Sequence, residues 1–178
     1  QREAKDGLEK YVMTKLYTVA FNGEGLYDHP DDEEDGRQLA RRMRILTFIT
    51  PKHLDIKPAI SNEVVWQIAG DELRRMNQYT APGDKINCVL KCSSVIFSVL
   101  NLARGSDDTS RPGADDFLPV FIYVVLRAKV EDLHRNCEYI KKYRNKADLN
   151  SKAGYSFVSL CSAIEFILHC EADMMSID

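Results

Sequence analysis

Pro112-Gly113-Ala114-Asp115-Asp116-Phe117-Leu118-Pro119 runs straight into Val120–Leu126, the longest apolar segment of the chain, with two carboxylates at its mouth. The polar stretch Gly105-Ser106-Asp107-Asp108-Thr109-Ser110 ahead of it has the composition of a connection between elements. Asp115 or Asp116 followed by Pro119 reads as a helix start, an acidic cap and then a proline in the first turn. Propensity pulls the other way. Val, Ile, Phe and Tyr dominate 117–125, and such runs favour strands, so a buried strand is the local alternative. The plainest reading of the two aspartates is that one caps a helix and the other is solvated.

Working outward, 178 residues at 44% hydrophobic content are enough to bury a sizeable core as one domain. A net charge of -3 gives no electrostatic case for nucleic acid, which calls for a basic face. No apolar run is expected to reach the ~18 residues of a membrane helix. The chain begins at Gln1 without a signal-peptide pattern and is expected to be part of a longer protein. Cys88, Cys92, Cys137, Cys161 and Cys170 are odd in number and form no CxxC pair, which favours a reducing, cytosolic setting.

The remaining segments read as helices. Ala4–Phe21 carries Leu8, Val12, Leu16 and Val19 or Ala20 at helical spacing, with Tyr11 alongside, and stops at Asn22-Gly23-Glu24-Gly25. Leu26–Gly36, with the acidic run Asp31-Asp32-Glu33-Glu34-Asp35, reads as a solvated loop before a helix at Arg37–Thr50. That helix is apolar at Leu39, Met43, Leu46 and Ile49, with Arg41, Arg42 and Arg44 as its wet face. Asn62 caps Glu63–Gln78, whose stripe is Val65, Ile68, Ala69 and Leu73, and the sole tryptophan, Trp66, is assigned to the core. From Lys85 a long amphipathic helix follows, with Ile86, Val89, Leu90, Ser93, Ile96, Phe97 and Leu100 in phase. After a link at Arg127–Asp132, Leu133, Cys137 and Ile140 mark a helix to about Arg144. Its basic end suits the macrodipole.

The last helix, about Ala153–Leu168, is capped by Asn150 or Ser151 and has two separable faces. Phe157, Leu160, Cys161, Ile164 and Leu168 form a core side, and Tyr155, Val158, Ser159, Ser162 and Phe166 a mixed one. Six or seven helices and no convincing strand pair predict an all-α, layered helical bundle.

Signatures of chemistry are missing from the sequence. There is no Gly-rich phosphate loop, no HExxH, no second cysteine pair to complete a tetrahedral site with Cys88 and Cys92, and no nucleophile elbow. Neither a metal nor a cofactor is expected.

Four spaced motifs resemble one family. Ala81-Pro82-Gly83-Asp84-Lys85-Ile86 with Lys91-Cys92-Ser93 is the first, and Gly113–Pro119 with Ile122-Tyr123-Val124-Val125 is the second. Leu133-His134-Arg135-Asn136 with Tyr139-Ile140 and Tyr143-Arg144 is the third; Ala153-Gly154-Tyr155-Ser156-Phe157 with Ser162-Ala163 and Phe166-Ile167 is the fourth. Their order and sequence resemble the vacuolar protein sorting nine (VPS-nine) domain, an exchange-factor domain for Rab GTPases of the early endosome. The resemblance spans roughly Leu8 to Asp178 and divides the chain into residues 1–50, a portion of an N-terminal helical bundle packed on the core, and residues 51–178, the exchange core.

That resemblance implies guanine-nucleotide exchange on Rab-five-subfamily GTPases in endocytic and vacuolar trafficking. Asp115 is the acidic finger entering the GTPase nucleotide site, beside its phosphate-loop lysine and Mg²⁺. Tyr155 contacts the GTPase switch regions; Pro119, Val158, Ser159 and Ser162 line the partner surface. The protein would be cytoplasmic and recruited to early endosomes peripherally, through parts outside this chain. The alternative is a Rab-docking or helical adaptor module without exchange activity. The chain departs from the family pattern at Val158-Ser159, where Thr-Asn is common, at Lys129–Asp132, where Asn-Pro-Pro is usual, and at Gly83, where an arginine is usual.

Overall fold

The computed structural model describes residues 2–103 and 114–171. Seven α-helices account for most of them: α1 (Arg2–Asn22), α2 (Pro30–Ile45), α3 (Glu63–Arg74), α4 (Pro82–Ala103), α5 (Ala114–Ala128), α6 (Leu133–Tyr143) and α7 (Lys152–His169). Short 3-10 turns join several of them, and no strand occurs among the described residues. The all-α expectation holds. Gly105–Ser110, Pro112 and Gly113 lie outside the described residues.

The ambiguous run is helical, and burial explains why. Phe117, Val120, Phe121, Ile122, Tyr123, Val124, Val125, Leu126 and Ala128 are all at most 5% exposed. A helix apolar on every side is one enclosed by neighbours, and α5 packs against α3, α4 and α7. Enclosure overrides the β-propensity of its residues, which measures fit to a half-buried sheet surface more than a backbone preference.

α4 is the second axis of the bundle and contacts α3, α5, α6 and α7. It starts at Pro82, three residues before the expected start, with the proline in the N-terminal position that tolerates it. By length and composition α4 could cross a membrane, contrary to the expectation from the sequence. Its apolar side is instead occupied by protein: Ile86, Val89, Cys92, Ile96 and Leu100 are each at most 2% exposed.

Further sequence expectations are overturned. The acidic run is not a loop. It occupies the first turns of α2 behind Pro30, where carboxylates complement the helix dipole, and the His29 backbone N–H donates to Asp32 Oδ2 at 3.0 Å. Arg42 is not part of a wet face, because its guanidinium donates to the carbonyls of Ile167 and Cys170 at the end of α7. The stripe predicted to bury α1 is the exposed one: Leu8 is 64% exposed, Tyr11 65%, Leu16 51% and Val19 75%. α1 packs through Met13, Tyr17, Ala20 and Phe21 onto Leu26 and Tyr139. On α3, Ile68 also faces out, while Trp66, Ala69, Gly70 and Leu73 are buried.

The seam between α1 and the core is built around a buried cation. Lys85 is fully buried, and its Nζ donates to the Met76 carbonyl at 2.9 Å and to Asn136 Oδ1 at 2.7 Å. The rings of Tyr17, Phe21 and Tyr139 stand 5.1, 5.0 and 5.8 Å from the ammonium, within cation–π range. No carboxylate among the described residues pairs with it, and burial pushes its pKa down to about 8. Arg144 makes a second link. Its guanidinium, 10% exposed, reaches Asp6 and Glu9 of α1 and Asp148 beyond α6. It also lies 3.0 Å from where a Cβ on Gly83 would stand, so a guanidinium fills that space from another element.

Two measurements follow. Gly154 enters α7 so close to the preceding turn that a Cβ would stand 1.8 Å from the Leu149 carbonyl oxygen. Gly154→Ala should therefore cost about 2–4 kcal/mol in urea unfolding, because the obstacle is backbone. Lys85 sets an alkaline signature. Between its folded pKa of about 8 and the ordinary 10.5, the unfolded chain holds the extra proton at this position, so the Lys85 contribution to stability rises with pH across that window. The thiols of Cys88, Cys92, Cys137 and Cys161, raised by burial above their ordinary 9.0, lower stability as pH passes that value. Burial raises the Tyr17 and Tyr139 phenols above their ordinary 10.0, so stability falls again as pH climbs past that value. The wild-type unfolding midpoint should gain on that of Lys85→Met as pH rises from about 8 to 10.5, and Lys85→Met should be the less stable at every pH because Met76 and Asn136 lose their donor.

Candidate functional site

The N-terminal turn of α5 is pinned by Phe117. Its ring stacks on Phe97 of α4 at 4.3 Å between centroids and on Phe121 at 5.3 Å. With that ring buried, the two residues before it sit at the rim. Asp115 is exposed, and among the described residues nothing pairs with its carboxylate. Asp116 is half-buried, with its Oδ1 3.5 Å from Lys57 Nζ on the connection between α2 and α3.

Neither aspartate is the cap, because the helix already begins at Ala114. Pro119 is the sixth helical residue, inside the helix and not in its first turn. A proline there has no N–H to give to the carbonyl four residues back. That carbonyl belongs to Asp115, so the most exposed acid of the turn also lacks its intrahelical donor.

The second half of the candidate site lies on α7, which packs against α5. Ser151 caps α7, its Oγ accepting from the Gly154 N–H at 3.4 Å. The two faces separate largely as the sequence predicts, except that Phe166 of the mixed face packs partly against the core and Cys161 of the core face also lines the groove beside Val158. Phe157, Leu160, Ile164 and Leu168 are buried, whereas Tyr155 and Val158 are each 58% exposed. Ser162 is exposed and Ser159 half-buried, but their hydroxyls are engaged. Ser159 Oγ donates to the Tyr155 carbonyl and Ser162 Oγ to the Val158 carbonyl, each at 3.1 Å. Both can still accept a hydrogen bond from a partner. Beside them a groove of about 490 Å³ is lined by Phe157, Val158, Cys161 and Ser162 of α7 with Leu149 and Lys141 across from them. Burial pushes the Cys161 thiol up, so it stays protonated at neutral pH.

The six residues singled out in the sequence thus fall on two packed helices: Asp115 and Pro119 on α5, Tyr155, Val158, Ser159 and Ser162 on α7. No hydrogen bond or ion pair among the described residues joins Asp115 to Tyr155. The arrangement offers an exposed carboxyl group, a phenol ring and an apolar side chain to another molecule. Among the described residues no group of three or more His, Cys, Asp or Glu side chains could hold a metal ion. Sequence reasoning missed Lys57 as the neighbour of Asp116, and Phe97 as the plate under Phe117. The lysine is 59 residues away in sequence, and no periodicity announces such a pair.

Comparison with known proteins shows the family. A family model described as the Vacuolar sorting protein 9 (VPS9) domain matches residues 66–172. The chain is 42% identical to Vacuolar protein sorting-associated protein 9A of Oryza sativa subsp. japonica, over 98% of this chain and 36% of that protein. It is 41% identical to the protein of the same name in Arabidopsis thaliana, over 98% of this chain and 33% of that protein. With the Rab5 GDP/GTP exchange factor of Homo sapiens it shares 33% identity, over 97% of this chain and 34% of that protein. The chain spans about a third of the length of these relatives. With more than half of its residues inside the matched region, the chain belongs to the VPS9 domain family.

Proposed function

We propose that the chain is a guanine-nucleotide exchange module that promotes GDP release from a small Rab GTPase of the Rab5 subfamily. The observation that carries this reading is the exposed Asp115 carboxylate on the first turn of α5, with no partner among the described residues. The name of the human relative, a Rab5 GDP/GTP exchange factor, supports it.

The physical logic is one of competing partners. A GTPase holds GDP through a phosphate-loop lysine and Mg²⁺. A carboxylate delivered beside them takes the lysine in place of a phosphate oxygen and disfavours the metal-bound arrangement. The module need only bind the nucleotide-free GTPase better than the loaded one; linkage then makes each ligand weaken the other. No bond is made or broken. Tyr155 and Val158 supply the aromatic and apolar surface that holds the GTPase switch regions, while Pro119, Ser159 and Ser162 line the surface around them. Residues 1–50 form part of a helical bundle packed on the exchange core of residues 51–178, a reading supported by the exposed apolar stripe of α1. The protein acts from the cytoplasm on early endosomes, reached through regions outside this chain.

Release of a fluorescent GDP analogue from a Rab5-subfamily GTPase tests this. Wild type should speed release. Asp115→Asn should return it to near background, and Tyr155→Ala should lower it roughly tenfold or more through lost contact area. Both variants should keep the wild-type unfolding midpoint, since both side chains are exposed. If wild type binds the GTPase and leaves release at background, the exchange reading fails and a docking module replaces it.

A further inference from the structure

A second polar cleft lies between α3 and α5, at the end of α5 away from Asp115. Asp115 and Arg127 are twelve helical residues apart, about 18 Å along the axis. The cleft has a volume of about 370 Å³, which suits one or two amino-acid residues. Trp66, Tyr123, Gly70 and Ala128 form its floor, and Gly70 is tightly approached there, with the Ala128 Cβ 3.2 Å from where a Cβ would stand. Its rim carries the long side chains of Glu63, Gln67, Arg74 and Arg127.

The hydrogen bonds in this cleft do not balance. Glu63 Oε1 accepts from the Tyr123 hydroxyl at 2.8 Å, and that hydroxyl oxygen accepts from Arg127 Nε at 3.0 Å. Arg74 is occupied by the Ala128 carbonyl and by Asp71. The terminal nitrogens of Arg127 have no acceptor among the described residues, although the guanidinium is fixed over the Tyr123 ring at 5.2 Å. Trp66 is 3% exposed, and its Nε1–H has no acceptor either. An orphaned buried donor is costly, and buried indoles usually find a partner. The Trp66 indole is thus the buried orphan of the cleft, the exposed Arg127 guanidinium keeps its terminal nitrogens open to a ligand, and Glu63 Oε1 is already engaged by Tyr123.

We propose that this cleft binds a carboxylate carried by a peptide segment of a protein partner. The carboxylate oxygens accept from the Arg127 fork and the Trp66 indole, and the adjoining apolar group lies over Tyr123, Gly70 and Ala128. A carboxylate matches a guanidinium with two parallel hydrogen bonds, which a single neutral acceptor does not. Access to the indole requires the exposed Gln67 side chain at the rim to swing out, with Arg127 kept in place by Tyr123. The proposal does not depend on the exchange reading, since it concerns other residues and a different ligand.

The chain has one tryptophan, so its ¹⁵N-labelled form gives one indole N–H resonance to follow. Four probes are titrated at constant pH and ionic strength. N-acetyl-leucine offers a terminal carboxylate, N-acetyl-glutamate α-amide a side-chain carboxylate, N-acetyl-leucinamide no charge, and inorganic phosphate a different anion. At least one carboxylate probe should move the indole resonance saturably, with a roughly millimolar Kd as fits fragments of this size. Whichever probe binds identifies the terminal or side-chain source. Arg127→Gln should weaken that binding roughly tenfold or more, and Arg127→Lys should fall between. If Arg127→Gln does not fold by circular dichroism, the lysine variant carries the comparison alone. The proposal is overturned if neither carboxylate moves the resonance at roughly ten times that concentration. It is equally overturned if the neutral amide moves it as much, if phosphate alone does so, or if the arginine variants bind as wild type does.

Discussion

A helix whose every side must be covered by protein dictates the plan of this domain. α5 carries almost no polar surface between Phe117 and Leu126, so α3, α4 and α7 must enclose it together. Burial of that kind contributes about 25 cal/mol per Å² of apolar surface and is not directional. It fixes which helices surround α5 without fixing what its ends present. Direction comes from the rings. The Phe97–Phe117–Phe121 stack holds the α5 N-terminus against α4, and the Tyr123–Glu63–Arg127 chain holds its other end against α3. The polar groups of functional interest sit where enclosure stops, at the two ends of the same helix.

Around that core the periphery is attached by charge. Lys85 and Arg144 each gather groups from separate parts of the chain, and both are buried enough that a lost partner is costly. The Lys85 cage is unusual in having rings and carbonyls but no carboxylate, which is why burial is felt so strongly in its protonation. Arg144 is the opposite case, a guanidinium shared among three carboxylates that each satisfy part of its fork.

Much of this was legible in the chain. The apolar positions of α2, α4, α6 and α7 fall where the 3.6-residue period puts them, and the two faces of α7 largely separate. α1 shows the limit of that signal. Leu8, Val12, Leu16 and Val19 form one helical stripe, and Met13, Tyr17, Ala20 and Phe21 form another at equally good spacing. Only the neighbours Lys85 and Tyr139 decide that the aromatic stripe goes inward, and periodicity says nothing about neighbours. The helical state of α5 was ambiguous for the same reason, because its burial is a tertiary fact. For Asp115 and Tyr155, composition and spacing marked a helix start and a mixed face, while their assigned roles came from family resemblance. The Lys57–Asp116 and Arg42–Cys170 contacts join distant parts of the chain and had no local signature.

Arg144 also bears on where this domain ends as a physical unit. The matched family region opens at residue 66, yet Arg144 within it is satisfied by Asp6 and Glu9, and Lys85 by the rings of Tyr17 and Phe21. The same arginine holds Asp148, whose carbonyl accepts from the Ser151 hydroxyl that caps α7 ahead of Tyr155. A chain cut at the family boundary would strip two buried cations of their surroundings and slacken the entry to the helix that carries the partner face. The interactions that hold the domain together thus extend beyond the region by which the family is recognised, and α1 takes part in them.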